Sequence, residues 1–258
     1  MVNIEKTAQI IYQAVDTATD IHGLGEMSIN DAYAVQHAVV DHFLADEEKL
    51  VGVKLGFTSR SKMEQMGVDS IIVGYLTDRM ELDPAKPIQL DPFIHPKLEP
   101  ELVFHLAENV ERSTKETAET LAQAIRNATD KVAVGMELID SRYIDFKFTL
   151  TDVIADNTSA AGFIVGEWQN YPVELAGRQV QFQINSETVE SATTDAILGN
   201  PEDAFLELAK MVLEYDFPLI GGSIILAGSM TPAVLLESGQ TVSAQVEGFP
   251  ELTVKIAD

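Results

Sequence analysis

Glu99 and Glu101 flank a single proline in KLEPELVFHL, residues 97–106. In an extended strand successive side chains alternate, so Glu99, Glu101 and Val103 face one side while Leu98, Pro100, Leu102 and Phe104 face the other. The two carboxylates are then about 7 Å apart at the backbone by strand rise, and long side chains at that spacing can converge on one cation. A third carboxylate, Glu137, interrupts the apolar run VAVGMELID, residues 132–140, where an unpaired charge is costly to bury. Three converging carboxylates, with water completing the shell, describe a Mg²⁺ or Mn²⁺ site. The competing reading is an edge strand with two solvent-facing glutamates. It leaves Glu137 without an explanation.

Lys54 interrupts a second apolar strand, VGVKLGFTS, which leads into Gly56, Thr58 and Ser59. Lysine in such a position is commonly an edge-strand residue. Its functional alternative is a general acid or base, or an anion contact, tuned by burial and by its neighbours. A third stretch, LIDSRYIDFKFTLTDVIADNTSAAGF, gathers Asp140, Arg142, Asp145, Lys147, Asp152, Asp156 and Asn157 directly after Glu137. Surface ion pairs account for part of that cluster but not for its place in the chain.

Composition narrows the chemistry. Seventeen basic residues against 41 acidic ones give a net charge of −24, which repels phosphate backbones and anionic lipid surfaces, so neither a nucleic acid nor a membrane partner is expected. Thirteen of the 17 bases lie between Lys49 and Lys147, which makes that segment the place to look for a small-anion site. Without cysteine there is no thiolate nucleophile, disulfide or Cys-ligated metal, and a metal must be held by oxygen or imidazole. Signatures for nucleotide loops, zinc proteolysis and the α/β-hydrolase nucleophile are absent from the sequence. MVNIEKTAQIIYQ does not read as a signal peptide, so a cytoplasmic location is expected.

These residues need a scaffold. Helical spacing of Ile4, Ala8, Ile11 and Val15 predicts a first helix over residues 4–19, and a Ser28/Asp31 cap predicts a second over 28–46. From Leu50 onward short β-rich stretches dominate, with helices expected at 114–128, opened by a Ser113/Glu116 box, and at 201–215 after Pro201. The run Pro218–Gly228 reads as a turn followed by a buried strand. Strands not regularly interleaved with helices predict an α+β roll or sandwich rather than a doubly wound sheet. The parse is a helical extension over residues 1–50 and one catalytic unit over 51–258.

The motifs VGVKLGFTS, KLEPELVF, MELIDSRYIDFKF, VIADNTSAAGFIVG and LAGSMTPAV together resemble the hydratase and decarboxylase branch of the fumarylacetoacetate hydrolase superfamily. The resemblance runs in order from about Leu50 to Asp258. It implies an α+β fold of curved, mostly antiparallel sheets, with Glu99, Glu101 and Glu137 as ligands of Mg²⁺ or Mn²⁺ and Lys54 as the active-site lysine. Asp78 in GYLTDRM and Ser159 in ADNTS match polar positions near the family's substrate site. DFKFTLTDVIADNTS is more similar to the decarboxylase form, which acts on 2-oxo-3-hexenedioate, a small dicarboxylate 2-oxo acid. Hydration of 2-hydroxypenta-2,4-dienoate is the alternative the resemblance leaves open. The resemblance also implies a homo-oligomer and a complex with the pathway hydratase. A catalytically silent assembly partner is a further alternative, against which the intact acidic triad and Lys54 argue. One departure is the hairpin QINSETV, where a glycine turn is expected, in a loop remote from the chemistry.

Overall fold

The computed structural model describes residues 2–59, 63, 70–112 and 116–258. Two helices come first. In α1 (Ile4–Asp16) the Asn3 side chain caps the Lys6 N–H at 3.0 Å, and in α2 (Ile29–Ala45) Ser28 caps the Asp31 N–H at 3.0 Å. Ala8 and Ile11 are buried on α1 at the predicted helical spacing. Gln36, buried on α2, donates to the Val73 carbonyl at 3.0 Å and to the Ile154 carbonyl at 2.9 Å. These bonds tie the helical segment to the part of the chain that surrounds Lys54.

The described strands are β1 (Leu50–Gly56), β2 (Ile72–Thr77), β3 (Lys97–Leu106), β4 (Thr129–Ile139), β5 (Ala160–Val165) and β6 (Gln169–Asn170), followed by β7 (Gln179–Ile184), β8 (Glu187–Thr193), β9 (Ile224–Ser229), β10 (Val234–Leu235), β11 (Thr241–Val246) and β12 (Leu252–Lys255). Between them lie α3 (Ala118–Ala128), α4 (Leu150–Ala155) and α5 (Asp203–Tyr215). The larger sheet runs β2-β1-β9-β3-β4-β5, with β10 paired to the start of β3 and β6 to the start of β4. The smaller runs β12-β11-β7-β8. Every strand pairing is antiparallel except β1 with β9, in keeping with the expected α+β fold of mostly antiparallel sheets.

Three local expectations change. The helix expected from residue 114 starts at Ala118, because Thr117 is extended (φ −103°, ψ 164°) and forms a reciprocal cap with Thr120; Ser113 lies outside the described residues. The second late helix starts at Asp203, two residues after Pro201. The β7–β8 hairpin turns without glycine, through Asn185 (φ 51°) and Ser186 (φ 67°), and the Asn185 Oδ1 accepts the Thr241 N–H at 2.9 Å. Asparagine tolerates this left-handed conformation better than most residues.

β3 is not an edge strand: β4 flanks it on one side and β9 and β10 on the other. Proline removes a ladder donor and is rare in such a position. Pro100 is tolerated because its carbonyl, which accepts the Met230 N–H at 2.9 Å, points to the side where β9 has ended and β10 has not begun. In an antiparallel strand a residue's N–H and C=O point to the same side, so the missing donor falls in that gap and the β4 ladder stays whole. Both faces of β3 are buried over most of its length. Phe104 on one face packs on Phe205 of α5, with ring centroids 4.6 Å apart, while the glutamates occupy the other. Among the described residues, no helix is long and apolar enough to cross a membrane.

Candidate metal centre and active site

Register places the charged groups on one face. Glu99 pairs directly with Glu137 across β3–β4, and Glu101 is two residues along the same face. Lys54 aligns with Leu226 of β9, and Leu226 with Val103 of β3, so Lys54 shares the face of Val103, Glu101 and Glu99. One carboxylate oxygen from each of Glu99, Glu101 and Glu137 lies within 4.8 Å of the others. Lys54 Nζ is 2.9 Å from Glu137 Oε1 and donates to the Thr158 carbonyl at 3.0 Å. Lys54 is 3% exposed and Glu101 and Glu137 are 0% exposed, so these charges meet out of water.

One ammonium cannot neutralise three carboxylates. Burial, and then the charges of Glu137 and Glu99, push the Glu101 carboxyl well above the usual carboxylate range, against the pull of Lys54 and the Gly228 N–H. Burial also raises Glu137 in spite of Lys54. Burial alone would lower Lys54, but the surrounding carboxylates, Glu137 foremost, outweigh it and hold the ammonium above its ordinary range. Among the described residues, Glu101 Oε1 and Glu137 Oε2 are buried with no hydrogen-bond partner. Buried acceptors are normally satisfied, and like charges directly opposed in a sheet are destabilising. A hard divalent cation bound by oxygen fits both deficits, and these residues therefore fit such a metal.

The second carboxylate oxygen of Glu101 is held by a bulge. Between Glu101↔Ser229 and Val103↔Leu226, β9 carries one residue more than β3. The irregularity contains Gly228 (φ 110°), whose N–H donates to Glu101 Oε2 at 2.8 Å. A Cβ at Gly228 would sit 2.0 Å from Thr58 Oγ1, so only glycine fits there.

Lys54 is aimed by an unusual run of backbone. Asn157, Thr158 and Ser159 all have left-handed φ values, 46°, 56° and 59°, and each such residue costs roughly 1–2 kcal/mol. Several bonds hold the run. The Asn157 amide pairs with both backbone groups of Tyr75, at 2.8 and 2.9 Å, and its carbonyl packs where a Cβ on Gly74 would clash at 2.6 Å. Arg142, buried, pairs with the Asp156 carboxylate and donates to the Asp156 carbonyl at 2.7 Å and the Ala160 carbonyl at 3.2 Å. Burial pushes the Asp156 carboxyl up to about 6 even against this guanidinium. Ser159 is fixed through its backbone to Asp156 and Asp140, while its Oγ is buried without a partner.

The structure thus brings Glu99, Glu101, Glu137 and Lys54 together, with Ser159 next to the residue that receives Lys54. It does not bring Asp78 to them. Asp78 is exposed just past the end of β2, where its Oδ1 accepts the Lys49 N–H at 2.9 Å and its own N–H donates to Lys49 at 2.9 Å. Gly74 is the residue opposite Lys54, so Asp78 lies about 13 Å farther along the strand direction and serves to anchor the start of β1. The Gly228 N–H and the Thr158 carbonyl are contacts the sequence did not single out. Arg142 and Asp156 stood in the polar stretch after Glu137, but nothing in the sequence showed them as a buried pair.

The sequence matches a known family over most of its length: residues 56–257 match the fumarylacetoacetate (FAA) hydrolase C-terminal family. This chain belongs to the fumarylacetoacetate hydrolase family. Among its relatives, a 4-oxalocrotonate decarboxylase from Pseudomonas sp is 38% identical over 227 residues, 88% of this chain and 86% of that one. A 2-hydroxyhexa-2,4-dienoate hydratase from Comamonas testosteroni is 29% identical over 99% of this chain and 98% of that one. Among solved structures of the family, the 4-oxalocrotonate decarboxylase from Pseudomonas putida G7 complexed with magnesium and adipate superposes with a TM-score of 0.89. It is 30% identical, covering 98% of this chain and 97% of that one. The same enzyme has been solved with calcium and acetate. Family members similar to this chain therefore include metal-bound decarboxylases, as the resemblance implied.

Proposed function

We propose that this chain is a carboxy-lyase that converts 2-oxo-3-hexenedioate to 2-hydroxypenta-2,4-dienoate and CO₂, using Mg²⁺ or Mn²⁺ held by Glu99, Glu101 and Glu137. The observation that carries this reading is the cluster of three carboxylates, two of them fully buried, with Lys54 2.9 Å from one of them, in a chain 38% identical to a 4-oxalocrotonate decarboxylase. The departing carboxylate of such a substrate sits on a saturated carbon next to an alkene that is conjugated to the 2-oxo group. When its C–C bond breaks and CO₂ leaves, the electron pair runs through the double bond to the 2-oxo oxygen, giving a dienolate that takes up one proton from solvent at that oxygen to give the 2-hydroxy diene. A divalent cation bound by the three glutamates supplies a Lewis acid for the 2-oxo acid end of the substrate, which removes the need for a pyridoxal or thiamine electron sink.

The chain's own residues do the rest. Lys54, kept as an ammonium by its carboxylate neighbours, is placed to hydrogen-bond the developing enolate oxygen, where a donor in a dry site is worth most. The Thr158 carbonyl restrains that ammonium. Ser159, with its buried and unpartnered hydroxyl, supplies a polar contact beside it. Arg142 is committed to Asp156 and Ala160 and offers no fork to the departing carboxylate. A bidentate clamp there would stabilise the ground state over the transition state. Arg60, the other arginine in these motifs and likewise expected not to clamp that carboxylate, lies outside the described residues.

Hydration is the second reading, favoured by the near full-length hydratase relative, because the same metal and enolised 2-oxo acid also support addition of water. Side-by-side assays decide between them: 2-oxo-3-hexenedioate should yield 2-hydroxypenta-2,4-dienoate, identified by absorbance and mass, faster than 2-hydroxypenta-2,4-dienoate is hydrated. The reverse preference makes the chain a hydratase. The same reading carries a cytoplasmic homo-oligomer that associates with the pathway hydratase, with residues 51–258 as the catalytic unit. Sedimentation with and without that hydratase tests the association.

A further inference from the structure

Exposure along the site face of β3 is graded. Glu101 is fully buried, whereas Glu99 and Lys97, two and four residues before it on the same face, are partly exposed. The Lys97 end of this face is therefore the one nearer solvent. Lys97 aligns with Ile139, next along the face from the Glu99–Glu137 pair, and its Nζ lies 4.0 Å from the centre of the Phe146 ring. The same ring meets His95 at 6.2 Å between centroids. His95 Nε2 is buried and has no hydrogen-bond partner among the described residues.

The segment carrying His95 is fixed rather than loose. Asp140 accepts the Ile94 N–H at 2.9 Å and the His95 N–H at 2.5 Å, so both oxygens of this nearby carboxylate are engaged by main chain. Phe146 is itself braced by Phe148, with centroids 5.7 Å apart. Beside three metal-ligating carboxylates there is thus an ammonium and an imidazole gathered around one aromatic ring, in a chain of net charge −24.

We infer that Lys97 and His95, gathered on Phe146, form an anion subsite that receives the distal carboxylate of a dicarboxylate 2-oxo acid whose other end lies at the glutamate centre. The inference rests on the proposed function and adds to it a specificity device. The two-residue step from Glu99 to Lys97 spans about 7 Å, the scale of an extended six-carbon diacid. A single ammonium over an aromatic face is a point contact, not a planar fork. It selects diacids in the ground state without holding the carboxylate rigidly as its charge is lost. Lys97 is therefore a specificity residue, contributing to substrate binding more than to the chemical step.

The test is calorimetric binding to the Mg²⁺-loaded protein of two saturated compounds, 2-oxoadipate and 2-oxohexanoate, which differ in the distal carboxylate. Neither is a vinylogous β-keto acid, so binding is read without turnover. The wild type should prefer the diacid by at least tenfold. Lys97→Met should abolish that preference by weakening 2-oxoadipate while 2-oxohexanoate stays within twofold, Lys97→Arg should keep most of it, and His95→Phe should reduce it partially. A Lys97→Met protein that keeps the wild-type preference, or that loses both ligands equally, overturns the subsite, as does a wild type without any preference. Absence of CO₂ release from 2-oxo-3-hexenedioate with the diacid preference intact would instead overturn the proposed reaction and leave the subsite standing.

Discussion

Lys54 Nζ lies 2.9 Å from Glu137 Oε1 although their strands, β1 and β4, are separated in the sheet by β9 and β3. Three strand spacings amount to about 14 Å in a flat sheet, so both side chains lean across β9 and β3 toward each other. The buried ion pair places an ammonium against the three glutamates from a point remote from them in sequence.

Removing one partner of that pair should separate catalysis from metal binding. Lys54→Met, roughly volume-conserving, should lower turnover at least tenfold, equivalent to about 1.4 kcal/mol of transition-state stabilisation, with Mg²⁺ affinity retained. In the metal-free protein the same change takes the ammonium 2.9 Å from the buried Glu137 carboxylate away and should cost on the order of 3–5 kcal/mol. Denaturant titration without Mg²⁺ checks this, and with metal affinity retained Mg²⁺ should stabilise variant and wild type by the same amount. Turnover within twofold of wild type would remove Lys54 from the mechanism.

Glu99→Gln, Glu101→Gln and Glu137→Gln should each weaken Mg²⁺ and Mn²⁺ binding while leaving the fold intact, since removing one of several like charges relieves repulsion. In Glu101→Gln the amide oxygen can still accept the Gly228 N–H. Calorimetric titration reads the affinities. Unchanged affinity in all three variants would contradict the metal assignment.

The pH dependence has a defined sign. The Glu101 and Glu137 carboxyls titrate above their ordinary value of 4.5 in the folded chain, so the metal-free folded state retains protons that the unfolded chain releases. Their contribution to stability is present below pH 4.5 and is lost as pH rises through the raised folded values. Mg²⁺ requires the deprotonated forms, so its affinity should rise over the same range and binding should release protons. Calorimetry in buffers of different ionisation enthalpy counts those protons. A pH-independent affinity would contradict the raised carboxyls.

Much of this was legible in the sequence, for reasons of period. Alternation put Glu99 and Glu101 on one face, and a charge inside an apolar strand marked Glu137 and Lys54. The helix caps at Asn3 and Thr117 were less legible, because several nearby polar residues could serve and only backbone geometry chooses among them. Asp78 could not be excluded from the site by its residue type, since its distance from Lys54 follows from β1–β2 register. The left-handed run Asn157–Ser159 is invisible to propensity, because tertiary bonds from Arg142 and to Tyr75 impose it on residues that would not adopt it alone.

That run gives a further prediction. Arg142→Met should destabilise the protein by about 3–5 kcal/mol by stranding the buried Asp156 carboxylate, whereas Asp156→Asn in the same background should recover part of the loss. Chemical denaturation of the two proteins measures both, and a single variant within 1 kcal/mol of wild type would contradict the structural role of the pair.

Gly228→Ala should impair the centre without touching a ligand, because the new Cβ collides with Thr58 and displaces the N–H that orients Glu101. Mg²⁺ affinity should fall by roughly tenfold or more, the range seen when a group that orients a metal ligand is removed. Wild-type affinity would show that Glu101 is oriented by other contacts.

The most direct test of the central claim is CO₂ release from 2-oxo-3-hexenedioate by protein stripped of metal and then supplied with Mg²⁺ or Mn²⁺. Stoichiometric CO₂ should appear only after the metal is added, and should fall sharply when Glu101→Gln replaces the wild type under the same conditions. Equal CO₂ release before and after metal addition would contradict a decarboxylation centre built on Glu99, Glu101 and Glu137.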